Sequence, residues 1–345
     1  MGQGFPGWHC PDFLKEENTK ACNNNYNQYA RSAGHLSLVQ GIAKRYSKTF
    51  GRTVDPLTEV VVTAGATEAI FGVTQGACLY CACCITVGIS LTRFAPVCSG
   101  LLNPGDEVIA FEPAFDIYLA QTDMAGAKVV PVPLILGADD AKSGSLEWKL
   151  DIKRFEAAFT SKTRLVLLNT PHNPTGKVFT KDELGQIAAV VSKYPNVVVV
   201  SDEVYEYLTY DGHEHISFAS LPGMWERTIT VSSAGKTFSV TGWKVGWTVG
   251  PEYLVRCVGI SHQWVSFSVC THVQVYILQQ PPCMYANVTM LTGGHWSCFA
   301  IRKLLLRHSS SQIHPFRAIL PITSGSKRCT RRSGTSCSNH CGRLD

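Results

Sequence analysis

Lys236 and Lys244 lie eight positions apart, just after the uncharged, β-branched run Thr228-Ile229-Thr230-Val231. That run reads as a buried strand. It empties into Ser232-Ser233-Ala234-Gly235, whose small side chains let a bulky molecule come close to the backbone. One amine placed there could condense with a carbonyl compound while the second holds its negative charge. A surface turn carrying two solvated lysines would have the same composition, so the choice rests on what the other strand ends supply.

From Asp55-Pro56 onward, short β-branched runs alternate with amphipathic stretches. The runs are Val60–Thr63, Glu107–Phe111, Lys128–Val132, Arg164–Leu168, Asn196–Val200, Thr228–Val231 and Gly246–Gly250. Asp182–Ser192 carries Leu184, Ile187, Ala188 and Val191 on one helical face. This alternation predicts an α/β fold with a mostly parallel seven-stranded sheet and helices on both faces, binding its ligand outside the carboxyl ends of the strands. Five such ends carry candidate chemistry. Ala64-Gly65-Ala66-Thr67 leads into a helix and leaves backbone N–H groups free for an anion. Phe115 sits in an aromatic turn where a ring could stack, although ordinary core packing would use it equally well. Asn173, between Pro171 and Pro174, has an amide that could donate to an oxyanion. Asp202 closes a run of valines, where an unpaired carboxylate is costly, and Tyr205 follows three residues later. Lys236 is the fifth. An anion seat, a stacking ring, an amide donor, a carboxylate and a lysine together are what pyridoxal phosphate needs.

The segments Asn173-Pro174-Thr175-Gly176, Ser201-Asp202-Glu203-Val204-Tyr205 and Ser232–Phe238 resemble the class I aminotransferases of PLP fold type I. Gly2-Gln3-Gly4-Phe5-Pro6, Ser220–Thr228 and Thr241-Gly242-Trp243-Lys244-Val245-Gly246-Trp247 resemble, within that family, the kynurenine aminotransferases, also called glutamine transaminase K or cysteine-S-conjugate β-lyase. The resemblance covers roughly residues 2–76 and 101–274. It implies that Lys236 condenses with the cofactor aldehyde and shuttles a proton, and that Asp202 keeps the pyridine nitrogen protonated. Tyr205 and Asn173 would bond the ring hydroxyl oxygen, and Phe115 would stack on the ring. Ser233, Lys244 and the N–H groups of Ala66 and Thr67 would bind the phosphate. Tyr29 would reach the phosphate of a neighbouring subunit in a homodimer, and Gly4 and Asn173 would lie at the substrate. The implied substrates are amino acids, with kynurenine and glutamine foremost, and 2-oxo acids; β-elimination from cysteine conjugates is the expected side reaction.

Composition divides the chain. Residues 275–345 hold nine Lys/Arg against one acid; with +5 overall, the first 274 residues are about −3. No nucleic-acid partner is expected for this body. Of fourteen cysteines, five fall within residues 77–100 and five after Gln274. Cys10, Cys22, Cys257 and Cys270 are widely spaced and read as reduced thiols. Cys78, Cys81, Cys83 and Cys84 match no zinc spacing, so no metal site is expected. The stretch 69–92 carries no charge, but it interrupts an α/β pattern and contains glycines and threonines, so a buried or disordered insert is preferred to a membrane span.

The expected organisation is therefore an N-terminal arm and first helix over residues 1–50 and a large cofactor-binding domain over 51–274. Residues 77–100 are an atypical insert breaking the helix that starts at Gly65, and 275–345 are an unmatched basic tail. That tail reads like an out-of-frame or intronic translation. The family's C-terminal small domain, with its carboxylate-clamping arginine, is expected to be absent, as is the upstream arm. Without that arginine the expected alternative is a catalytically impaired relative. The N-terminus carries no basic, then apolar, leader, so the expected location is cytoplasmic, with a mitochondrial form requiring an upstream transit segment.

Overall fold

In a computed structural model of the chain, residues 4–86, 101–137, 147–275 and 277 are described. Seven strands form one sheet: β1 (Val60–Thr63), β2 (Glu107–Glu112), β3 (Lys128–Pro133), β6 (Thr163–Asn169), β7 (Val198–Asp202), β8 (Thr228–Ser233) and β9 (Gly246–Val249). β4 (Ile135–Leu136) and β5 (Trp148–Lys149) pair separately. The sheet order is β1-β9-β8-β7-β6-β2-β3, and only β9 runs antiparallel to its neighbours. All seven strands lie where the β-branched runs predicted them. β7 and β8 run two residues further than predicted, because Asp202 and Ser233 stay in the ladder opposite Val231 and Gly246.

Successive strand side chains point to opposite faces, and the core divides accordingly. Val166, Leu168 and Val199 pack with Leu184 and Ile187 of the helix Lys181–Ser192 on one face. Leu165, Leu167, Val200 and Ile229 face Ile70, Val73, Leu254 and Val258 on the other. The helix Leu36–Phe50 adds Leu38, Val39, Ile42 and Tyr46 against Val60, Val62 and Trp247. Ile277, which the sequence assigns to the tail, is buried in this same cluster, and Val275 is buried as well. Helix starts follow local chemistry. Thr180 and Glu183 form a reciprocal capping box, and the Asp151 side chain accepts the N–H groups of Lys153 and Arg154.

One expectation is revised. The helix that starts at Gly65 does not break at Gly76 but continues to Thr86, ten residues into the predicted insert. Residues 87–100 and the tail from 278 lie outside the described residues. Among the described residues, no helix is long and apolar enough to cross a membrane.

Candidate active site

The register assembles the site. Asn169 pairs with Asp202 and Asp202 with Val231, while Gly246 pairs with both Ser233 and Thr63. Residues separated by up to 183 positions thus share one edge of the sheet.

Asp202 is buried at the end of β7. Its Oδ2 accepts the Tyr118 hydroxyl at 2.6 Å and its Oδ1 accepts the Val204 N–H at 3.3 Å. Burial pushes its pKa up to about 6; the Tyr118 and Val204 hydrogen bonds pull against that, Glu203 adds to it and the Lys236 charge opposes it. Asn169 fixes the next turn. Its Nδ2 donates to the Asp202 carbonyl at 2.9 Å and its Oδ1 accepts the Asn173 N–H at 2.6 Å. Asn173 is half-buried there, flanked by cis peptide bonds at Pro171 and Pro174. Glu203, fully buried, accepts from Ser201, Ser217 and the Phe218 N–H and pairs with His215 at 3.0 Å, anchoring the segment that follows Tyr205.

Lys236 projects from a single helical turn, Ala234–Thr237, that follows β8 directly. Its ammonium donates to the Gly4 carbonyl and stands 5.4 Å from the centre of the Tyr205 ring. Burial holds its pKa below the ordinary lysine value, against the attraction of Asp202 and with help from Lys244. Lys244 itself adopts a left-handed backbone, φ 53°. A Cβ placed on Gly65, where φ is +79°, would lie 3.4 Å from Lys244 Nζ. The ammonium therefore lies beside the first turn of the helix Gly65–Thr86, whose leading N–H groups, including those of Ala66 and Thr67, have no carbonyl within the helix. A Cβ on Gly246 would fall 2.4 Å from Gly65 C and 2.6 Å from Ala66 N, so only glycine lets β9 approach this turn. A cation beside free helical N–H groups is a seat for a phosphate dianion.

The structure thus brings Lys236, Asp202, Tyr205, Lys244, Ala66, Thr67 and Gly4 to one edge, with Asn173 on the adjoining turn. Ser233 is there too, but its single proton goes to the Val245 carbonyl at 3.0 Å and its oxygen caps the Gly235 N–H. Phe115 is half-buried, its ring 5.7 Å from that of Tyr118 and edge-to-face with it. Tyr29 is not part of this chain's own site: its side chain is largely in solvent, with its ring 4.9 Å from that of Phe267. Three participants escaped the sequence reading. Tyr118 sits 84 positions from the carboxylate it bonds, and Asn169, just past the predicted strand Arg164–Leu168, ends the observed strand Thr163–Asn169. Glu68, which accepts from the Ala64 N–H, from Ser266 and from buried His262, braces the turn at Gly65. The one available signal was that a polar Tyr or Asn beside an apolar strand end needs a partner.

The family described as aminotransferase class I and II matches residues 3–280. The chain is similar to kynurenine–oxoglutarate transaminase of Dictyostelium discoideum, 45% identical over 294 residues, covering 81% of this chain and 62% of that protein. It is also similar to kynurenine–oxoglutarate transaminase 3 of Mus musculus, 42% identical over 281 residues, with coverages of 81% and 56%. It therefore spans less than two thirds of the length of these curated relatives. Among solved structures, N-succinyldiaminopimelate aminotransferase from Mycobacterium tuberculosis superposes with a TM-score of 0.72 at 35% identity, over 89% of this chain and 71% of that one. With the match spanning both the phosphate seat and the lysine turn, this chain belongs to the class I and II aminotransferase family.

Proposed function

We propose that the chain is a pyridoxal-phosphate-dependent aminotransferase that moves the amino group of kynurenine, glutamine or a related amino acid to a 2-oxo acid. Cysteine-conjugate β-elimination is its side reaction. The observation that carries the proposal is the half-buried Lys236 amine, held below its ordinary pKa within electrostatic reach of buried Asp202. The donor set fits the cofactor: a cation and free helical N–H groups for the phosphate, a buried carboxylate for a cationic ring nitrogen, and an amine for the aldehyde. Bound pyridoxal phosphate would supply that aldehyde and an electron-accepting ring.

The chain's own residues do the rest. Lys244, Ala66 and Thr67 hold the phosphate, and Ser233 joins them if its hydroxyl turns from Val245. Asp202 keeps a proton at the ring nitrogen. Tyr205 and Asn173 orient the ring, and Phe115 covers its face and excludes water. Lys236 Nζ, easily deprotonated because it is desolvated, takes and returns the proton at the reacting carbon. Gly4 leaves room at the substrate end of the site. A homodimer belongs to the same proposal, with exposed Tyr29 meeting the phosphate held by a partner subunit, and so does a cytoplasmic location.

One observation favours a second reading, in which the chain binds cofactor or dimerises but turns over amino acids poorly. Arg31, Arg45, Arg52, Arg154, Arg164 and Arg227 each have another partner, and Arg256 lines a cleft with Arg31 and Leu57. No described arginine is thereby committed to a substrate carboxylate, and losing such a clamp costs orientation as well as binding. The test is to incubate the full chain with pyridoxal phosphate, reduce with borohydride and map the labelled peptide. Turnover of kynurenine or glutamine with a 2-oxo acid is then measured. Label on Lys236 with turnover supports the first reading, label without turnover the second, and no label on Lys236 overturns the first and removes cofactor binding from the second.

A further inference from the structure

The ring-nitrogen end of the site contains a tyrosine that the proposed function does not use. Tyr118 lies on the helix Asp116–Met124, is buried, and donates its only hydroxyl proton to Asp202 Oδ2 at 2.6 Å, the length of a charge-assisted bond. The groups facing Asp202 are Tyr118 from this helix, Tyr205 from the segment after β7, Lys236 from the turn after β8, and Glu203 beside it on its own segment. Among the described residues, the hydrogen-bond donors to its carboxyl oxygens are Tyr118 and the longer Val204 N–H. A fully buried carboxylate with two donors has unused lone pairs, and a cation is the partner that would compensate its desolvation. Burial and the neighbouring Asp202 charge raise the Tyr118 pKa well above its ordinary value, so the phenol remains a donor across the working pH range. Phe115 lies three residues earlier on the same turn, with its ring against that of Tyr118. One helical turn therefore carries both the candidate stacking face and the hydroxyl that aims the carboxylate.

We propose that Tyr118 is a positioning residue: by donating to Asp202 Oδ2 it keeps that carboxylate ionised and directs its other oxygen at the cofactor's ring nitrogen. The inference rests on the proposed pyridoxal-phosphate function. When the Tyr118 hydroxyl is removed, Asp202 takes up a proton more readily and the ring nitrogen loses its own. With less positive charge on a bound cofactor, the Lys236 nitrogen would hold its proton to higher pH.

The test uses the full chain loaded with pyridoxal phosphate. Visible absorbance is titrated against pH, and cofactor affinity is measured by equilibrium dialysis. In Tyr118→Phe the midpoint of the visible titration is expected to move to higher pH, and affinity to weaken about tenfold, the effect of one hydrogen bond to a charged group. In an Asp202→Asn background the same change should move the midpoint no further, because the coupled partner is gone. A purely packing role would give equal effects in both backgrounds and would overturn the proposal, as would an unchanged midpoint. If Tyr118→Phe does not fold, site-specific 3,5-difluorotyrosine at position 118, a stronger donor of nearly the same shape, should move the midpoint to lower pH; no movement overturns the proposal. Borohydride labelling of the unaltered chain separates the two failures. Without label on Lys236 the underlying function fails, whereas label with an indifferent Tyr118 removes only this inference.

Discussion

The two charged walls of the site are built in opposite ways. On the acidic side, Asp202 and Glu203 are buried and tied to Tyr118, Val204, Ser201, Ser217 and His215. On the basic side, Lys236 is half-buried on a one-turn helix, and Lys244 sits on a left-handed backbone beside a glycine. A carboxylate whose task is to stay in place tolerates burial because donors compensate its desolvation. On the proposed function, an amine that must bond, release and carry a proton needs slack, which a short helix and small neighbours leave Lys236. The contrast teaches that this edge of the sheet separates a fixed charge from a mobile one.

The largest expected effect comes from deleting the mobile charge. Lys236→Ala should reduce borohydride labelling to background and lower any turnover by at least roughly 10²–10⁴-fold, as checked by peptide mapping and a coupled oxo-acid assay. Next, neutralising the fixed charge in Asp202→Asn should cost roughly 10²–10³-fold in turnover while leaving the lysine able to form its covalent link. If labelling were lost as well, the division between the walls would be wrong. Third, Gly246→Ala presses a methyl group into the backbone of Gly65 and Ala66. It should lower stability by about 3 kcal/mol in urea titrations and weaken phosphate binding with it.

The fixed wall also has a pH signature. The Asp202 pKa rises from 3.8 to about 6 on folding, so the folded chain holds a proton that the unfolded chain has released. Its contribution to stability is present below about pH 4 and is lost as pH rises through about 6, a change of about 3 kcal/mol. Cofactor-free protein should show this slope in denaturation midpoints between pH 4 and 6, and Asp202→Asn should flatten it. The smallest effect lies far from both walls. Thr180→Ala removes one half of a capping box and should cost about 1 kcal/mol of stability without altering cofactor affinity.

Local chemistry made the elements legible. The seven β-branched runs became seven strands, the apolar face within Asp182–Ser192 became a helix, and Lys236 stood at a strand end as its small neighbours indicated. The antiparallel direction of β9, its place between β1 and β8, and the bond from Tyr118 to Asp202 were not legible, since each depends on residues far apart in the chain. The run of the helix from Gly65 on to Thr86 was likewise not legible, because a change in composition does not fix where a helix ends.

By itself, then, the order of residues determined which segments are strands and which side chains end them, because periodicity and turn chemistry act over a few residues. Tertiary structure alone decided that Gly246 brings Thr63 and Ser233 together, and that a tyrosine from a neighbouring helix completes the carboxylate. Strand order and burial are properties of the packed sheet, and they set the distances and the local dielectric on which the chemistry depends.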